Sequence, residues 1–361
     1  MCRLLSMSEK QPALQRKMMD KAKPFSPDEV ANIADASRRM RVTVDAFNQA
    51  MNAEDFDTGR EIAEFVLGDE MPSRLFKIGF QWHCLNWLTN YYRNSYVQSE
   101  EDSPEADAAL RHLLNTAWKY KWVVPKLPYD TTVSREEIEQ ANQAMRQLYD
   151  DFQCSRESVE KALTEQSILM GDVAAAREHF ALWQAAEADD LSDCPACEQD
   201  SLVQYYHFIG DYAQVLSCAE PILSGELSCA EVPHITYQYV VDALIRTGRP
   251  EQAEELLEEA FALITESEED NVHLLPPLIL AASQLGRLDW AEDWLDEYSD
   301  DIFATISNND LPYFDYIACI VPLKDDALEN AQQVAQELDQ RNGNSYYQDK
   351  LTLLFQKTML H

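Results

Sequence analysis

The sequence predicts an all-α protein: an α-solenoid of stacked helix–turn–helix units preceded by an N-terminal helical region. Three observations predict it. Glycine turns recur along the second half at nearly constant spacing. Apolar residues sit at helical offsets on both sides of each turn. No stretch alternates polar and apolar residues with the period of a strand, and 9 glycines in 361 residues are too few for a turn-rich β-barrel.

The recurring turns are Leu169-Met170-Gly171-Asp172-Val173, Phe208-Ile209-Gly210-Asp211-Tyr212, Arg246-Thr247-Gly248-Arg249-Pro250 and Gln284-Leu285-Gly286-Arg287-Leu288, with glycines 39, 38 and 38 residues apart. Five residues after each glycine stands Ala176, Val215, Ala253 or Ala291. Nine after stands Phe180, Ala219, Leu257 or Leu295, and twelve after Trp183, Ile222, Ala260 or Tyr298. Those offsets share one face of a helix. Counting back eight, seven and four residues gives Leu202, Val203 and Tyr206, then Val240, Val241 and Leu244, then Leu278, Ile279 and Ala282. The first copy gives Leu163, Thr164 and Ser167, with a polar last slot. Each unit therefore reads as helix, glycine turn, helix, the glycine supplying a left-handed backbone at the helix end.

Other helix signals extend the pattern. Asp326-Ala327-Leu328 with Ala331, Ala335 and Leu338 reads as a fifth copy, and Glu54-Asp55-Phe56 with Gly59 and Ala63 as one near the N-terminus. Ser103-Pro104 opens a helix with proline at its first position. Ser134-Arg135-Glu136-Glu137 is a capping box that starts a helix to about Phe152. Ser345 to Leu360 reads as a closing helix. The expected organisation is a basic, partly flexible lead-in over 1–30, an N-terminal helical region with degenerate repeats over 31–153, and the repeat array with its C-terminal cap over 154–361.

Gly210-Asp211-Tyr212 with Val215, and Gly248 with Ala253, resemble the inter-helix turn and small residue of the tetratricopeptide repeat. The period of about 38 exceeds the usual 34 of that family, the small position of the first helix holds Thr164, Val203, Val241 or Ile279, and the terminal proline is mostly missing. The resemblance is to a divergent member. It implies a concave surface, lined by the first helix of each pair, that binds a protein or peptide. Some tetratricopeptide domains hold an acidic C-terminal tail with Lys, Asn and Arg on those helices. The matching slots here are Lys161 and Glu165, Asp200 and Gln204, Gln238 and Asp242, and Pro276 and Leu280, so that activity is not implied.

Charge narrows the partners. Lys and Arg number 29 against 64 Asp and Glu, a net −35. Residues 1–50 alone carry +3, so the rest carries −38. An acidic body of this size argues against nucleic acid and against anionic lipid, and favours cationic protein partners. The apolar run at the N-terminus is too short for a signal peptide, and the uncharged stretch from Leu274 to Gly286 is too short for a membrane span. A cytoplasmic protein is expected, with its 8 scattered cysteines reduced.

One cluster has metal-ligand spacing: Cys194-Pro195-Ala196-Cys197, followed by Cys229 and His234. A structural zinc joining two repeats is one reading, with Cys218 able to replace a ligand. Ordinary core thiols and a redox pair of Cys194 and Cys197 are the others. The aromatic series Phe80, Trp82, Trp87, Tyr91, Tyr92, Tyr96, Trp118, Tyr120, Trp122 and Tyr129 reads as core more than as pocket. No phosphate loop, nucleophile elbow or His-Glu-x2-His pattern occurs, so no catalytic residue is expected and no cofactor beyond the structural zinc. The functional expectation is an acidic interaction scaffold. An inhibitor or immunity-type protein neutralising a basic enzyme or toxin is the second, and a Cys-x2-Cys redox or zinc-dependent protein the third.

Overall fold

The computed structural model describes residues 25–33, 35–68, 76–267, 271–306, 308–324 and 326–358. Most of the expected basic lead-in over 1–30 lies outside them. The chain is all-α, with no strand among the described residues. None of the described helices is long and apolar enough to cross a membrane.

Local chemistry places the N-terminal helices. Helices α1 (Pro27–Ala31), α2 (Ala36–Asn52) and α3 (Phe56–Val66) are capped by Ser26, Asp35 and Asp55. Helix α4 runs Ile78–Gln98, and Ser103 caps α5 (Pro104–Val123), whose first residue is the proline. The capping box at Ser134 starts α6 (Arg135–Asp151): the hydroxyl accepts the Glu137 N–H at 3.2 Å while the Glu137 carboxylate accepts the Ser134 N–H at 2.8 Å. These helices share a core around Phe47, Phe76, Leu85, Tyr120, Leu127 and Tyr149, which extends to Val159, Ala162 and Leu163 of α7. The aromatic series enters it edge-on, as Trp82 does against Tyr120 and Phe47 against Trp87.

Antiparallel pairs follow: α7 (Glu157–Leu169) with α8 (Val173–Ala185), α9 (Pro195–Phe208) with α10 (Tyr212–Leu223), α11 (Tyr237–Arg246) with α12 (Pro250–Thr265), and α13 (Leu275–Gln284) with α14 (Leu288–Ile306). Helices α15 (Asp310–Ile320), α16 (Ala327–Asn342) and α17 (Tyr346–Thr358) complete the chain. The glycines at 171, 210, 248 and 286 stand between paired helices with φ from +67° to +78°, a backbone region that a Cβ disfavours. Ala176, Val215, Ala253 and Ala291, five residues on, are fully buried where the helices of each pair meet. In the first pair the polar slots are buried too: Thr164 and Ser167 donate back to the Glu160 and Leu163 carbonyls at 2.8 and 2.6 Å, so burial leaves no hydroxyl unsatisfied. Odd-numbered helices α7, α9, α11, α13 and α15 contact one another in succession.

The array does not run out as an open spiral; its last helices return to the N-terminal half. Arg341 at the end of α16 donates to the Pro128, Asp130 and Val133 carbonyls at 2.8, 3.1 and 3.3 Å, in the segment joining α5 to α6. Asp310 accepts the Thr131 N–H and hydroxyl at 2.8 and 2.6 Å, and Asn309 accepts the Ile78 N–H at 3.0 Å. Arg135 donates to the Asn342 carbonyl at 3.1 Å, Asn344 to the Met170 carbonyl at 2.8 Å, and the Tyr347 hydroxyl to the Leu169 carbonyl. Asp339, buried at 1% exposure, caps the start of α17 by accepting the Tyr347 and Gln348 N–H groups at 2.9 and 3.0 Å. Helix α17 and the end of α16 are thereby fastened to the 127–135 segment and to the turn between α7 and α8.

Candidate functional site

The thiol cluster is assembled from a helix start and a loop. Proline at 195 begins α9, leaving Cys194 as its N-cap in extended conformation and Cys197 one turn in. The loop between α10 and α11 folds over that start. Its Val232 packs with Ala196 and Ile222 in a small satellite core flanked by Cys197, Leu227, Cys229 and Ile235. The Cys229 N–H donates to the Val232 carbonyl at 3.0 Å, which fixes a tight turn. As a result the Cys197 and Cys229 sulfurs lie 3.5 Å apart, and the sulfurs of Cys194, Cys197 and Cys229 all lie within 4.8 Å of one another.

Cys194 and Cys197 differ electrostatically. Although burial opposes ionisation, the first-turn N–H groups of Cys197 and Ala196 and the neighbouring thiols hold the Cys194 thiol below its usual range. Burial and the two neighbouring thiols push Cys197 strongly up.

A buried ion network anchors the cluster from the N-terminal side. Asp193 accepts from Lys121 and Lys161, each at 2.7 Å, and Glu198 accepts from Lys161 at 2.9 Å and from the Asp193 N–H at 3.0 Å. The two lysine side chains are 4% and 5% exposed. Lys121 also lies 3.7 Å from the Trp118 ring centroid. Desolvation works against the Lys161 charge, but Glu165, Glu198 and Asp193 outweigh it and raise its pKa. Burial raises Asp193 less than the two lysines lower it, so it stays ionised below the usual range. For Glu165 burial wins over Lys161 and Lys126, and its pKa rises.

The odd-numbered helices turn carboxylates and phenols toward one shared space. The Tyr239 hydroxyl on α11 is raised far above the usual phenol range, first by desolvation and then by Asp200 on α9, Asp315 on α15 and Glu165 on α7. Tyr129, from the closing segment, is raised by burial and then by Asp315 and Glu165. Helix α17 adds Tyr346, which stacks obliquely on Phe208, and Lys350, whose ammonium sits 2.9 Å from Asp315. Water reaches this face, since the Asp315 and Lys350 side chains are 45% and 41% exposed. Asp200 is different: it is 1% exposed and accepts from Thr236 and Gln204 at 2.6 Å each. Burial dominates those bonds and pushes its carboxyl up to about 6.

Of the four residues with metal-ligand spacing, the structure brings three together. His234 is not in the group; its Nδ1 is buried with no hydrogen-bond partner. Cys229 and His234 both lie in the loop before α11 rather than on the helix. Cys218, the substitute ligand considered from sequence, faces the neighbouring core instead, with its carbonyl accepting from Gln199 at 2.7 Å. Of the slots counted along the first helices, Lys161 and Asp200 prove buried and paired, while Glu165 is half-buried beside Tyr129 and Tyr239. Sequence counting missed Tyr239, Asp315, Tyr346 and Lys350. Tyr239 is one place off the counted register, and α15 and α17 are not followed by a glycine of the repeat, so nothing fixes their register. No family model matches the chain, and no curated protein matches it.

Proposed function

We propose that the chain is a protein-interaction module, tetratricopeptide-like in kind and cytoplasmic, whose inner face takes up a cationic segment of a partner protein. The observation that carries this reading is the grouping of Glu165 and Asp315 with Tyr129, Tyr239 and Tyr346 beside the water-accessible Asp315–Lys350 pair. Carboxylates at that density attract Lys and Arg, and flat phenol rings supply contact area and cation–π partners at low entropic cost. The −35 net charge adds long-range steering toward basic partners. On this reading the protein binds and does not catalyse.

The test is anisotropy of labelled oligo-lysine and oligo-arginine peptides at low and high salt. The paired substitution Glu165→Gln with Asp315→Asn should weaken binding by about tenfold, and salt should weaken it further. Substituting Glu255→Gln with Glu258→Gln, both exposed on the even-numbered helix α12, should change little. Equal losses from the two pairs would leave the inner face without a role. That result would favour the second reading, a basic enzyme or toxin neutralised over the whole acidic surface.

A further inference from the structure

The loop from 224 to 236 has little hydrophobic support. Thirteen residues link α10 to α11, yet the satellite core they close has only Ala196, Ile222 and the loop's own Val232 fully buried, with Cys197, Leu227, Cys229 and Ile235 partly buried around them. So small a core does not by itself hold a loop of that length in one conformation. Three thiols stand at the same seam, two from the start of α9 and one from the loop.

Their spacing is that of a metal cradle. Tetrahedral zinc with Zn–S bonds of about 2.3 Å sets its sulfurs about 3.8 Å apart. Here one pair is at 3.5 Å and all three lie within 4.8 Å. The carboxylates next along the chain do not compete, because Asp193 and Glu198 are held by Lys121 and Lys161. All-sulfur donation selects a soft or borderline ion over Mg²⁺ or Ca²⁺.

We propose that Cys194, Cys197 and Cys229 bind one Zn²⁺ through three thiolates, fastening the 224–236 loop to the start of α9 and so joining two successive helix pairs. Binding releases the thiol protons. The fourth position is left to a water or an exogenous donor, since His234 lies outside the group. The site is independent of partner binding at the inner face and stands or falls separately from it.

The experiment measures zinc in full-length protein purified without chelator, then titrates Zn²⁺ and Co²⁺ into stripped protein against a chelating dye. One Zn²⁺ per chain is expected, and Co²⁺ should give an intense thiolate-to-metal charge-transfer band. Cys194→Ser is the decisive variant. Its position is an exposed N-cap, where serine is a preferred residue, so the helix keeps its start while one ligand is lost. It should weaken Zn²⁺ binding by about 100-fold and abolish the fall in Tm that chelator causes in the parent protein. Cys229→Ser should do the same, and Cys218→Ser should bind like the parent. Stripped parent protein that takes up no Zn²⁺, or Cys194→Ser binding as tightly as the parent, overturns the proposal. So does a Cys197–Cys229 disulfide in protein handled under reductant. His234→Ala should retain the metal; its loss there would overturn the three-thiolate coordination.

Discussion

Replacing Arg341 by Met tests whether the array is closed as described. The guanidinium reaches three main-chain carbonyls of the 128–133 segment at 2.8 to 3.3 Å, and its Nε donates to Asn342 Oδ1 at 2.6 Å. Methionine keeps much of the aliphatic stem and removes every donor. A hydrogen bond with one charged partner contributes about 1.5 to 3 kcal/mol. The three carbonyl bonds, taken at the low end because water can re-enter this partly exposed edge, sum to about 4.5 kcal/mol. Arg341→Lys should lose about half of that, because an ammonium cannot span three acceptors at once. The assay is urea unfolding followed by circular dichroism, joined to amide exchange over 127–135 and 341–347. Exchange matters because stacked helices can open in segments, and closure should fail before the distant pairs do. An unchanged urea midpoint, with unchanged protection over 127–135, would refute the view that this arginine holds the ends together.

Further outcomes follow from other sites. Asp200 has a folded-state pKa of about 6, above its usual 3.8, so the ionised form penalises folding above pH 6 and the penalty fades as pH falls toward 3.8. The stability difference between the parent and Asp200→Asn, measured by urea unfolding, should therefore shift in the parent's favour by about 2 kcal/mol from about pH 7.5 to about pH 4. An unchanged difference would contradict the raised carboxyl. Lys161→Met leaves Glu198 without its buried cation and Asp193 with Lys121 alone, and should lower stability by about 3 kcal/mol, with a matching fall in Tm. Gly210→Ala should cost only about 1 to 2 kcal/mol, the cost of the left-handed backbone, since its Cβ meets nothing. Gly171→Ala should cost more in the same thermal melts, because its Cβ would overlap the Tyr346 ring of α17.

The helices themselves were legible because their signals are local. A proline at the first helical position, a capping box or a left-handed glycine acts within a few residues, and periodic apolar residues mark the buried face whatever it packs against. That is how α5, α6 and the four glycine turns could be placed from sequence, and why Ala176, Val215, Ala253 and Ala291 could be picked out before their burial was seen. The Cys-x2-Cys spacing was likewise local, and two of the thiols in the cluster come from it. Its third member depended on a loop conformation, and the exclusion of His234, two residues before the helix-initiating Thr236, followed from the same turn.

Composition and local pattern alone determined that this chain is helical, acidic and built of repeating pairs, because charge and the 3.6-residue period are written residue by residue. Tertiary structure alone decided where the array ends. Arg341, Asn309, Asp310 and Asn344 meet partners between 174 and 231 positions away, and no local signal encodes such distances. It also decided which charges face one another. Lys161 stood in a slot counted from the sequence and is buried as a counter-ion, while Asp315 and Lys350 pair because α17 returns to α15. Helix propensity is set by neighbours in the chain; the sign and depth of the field on a surface are set by neighbours in space.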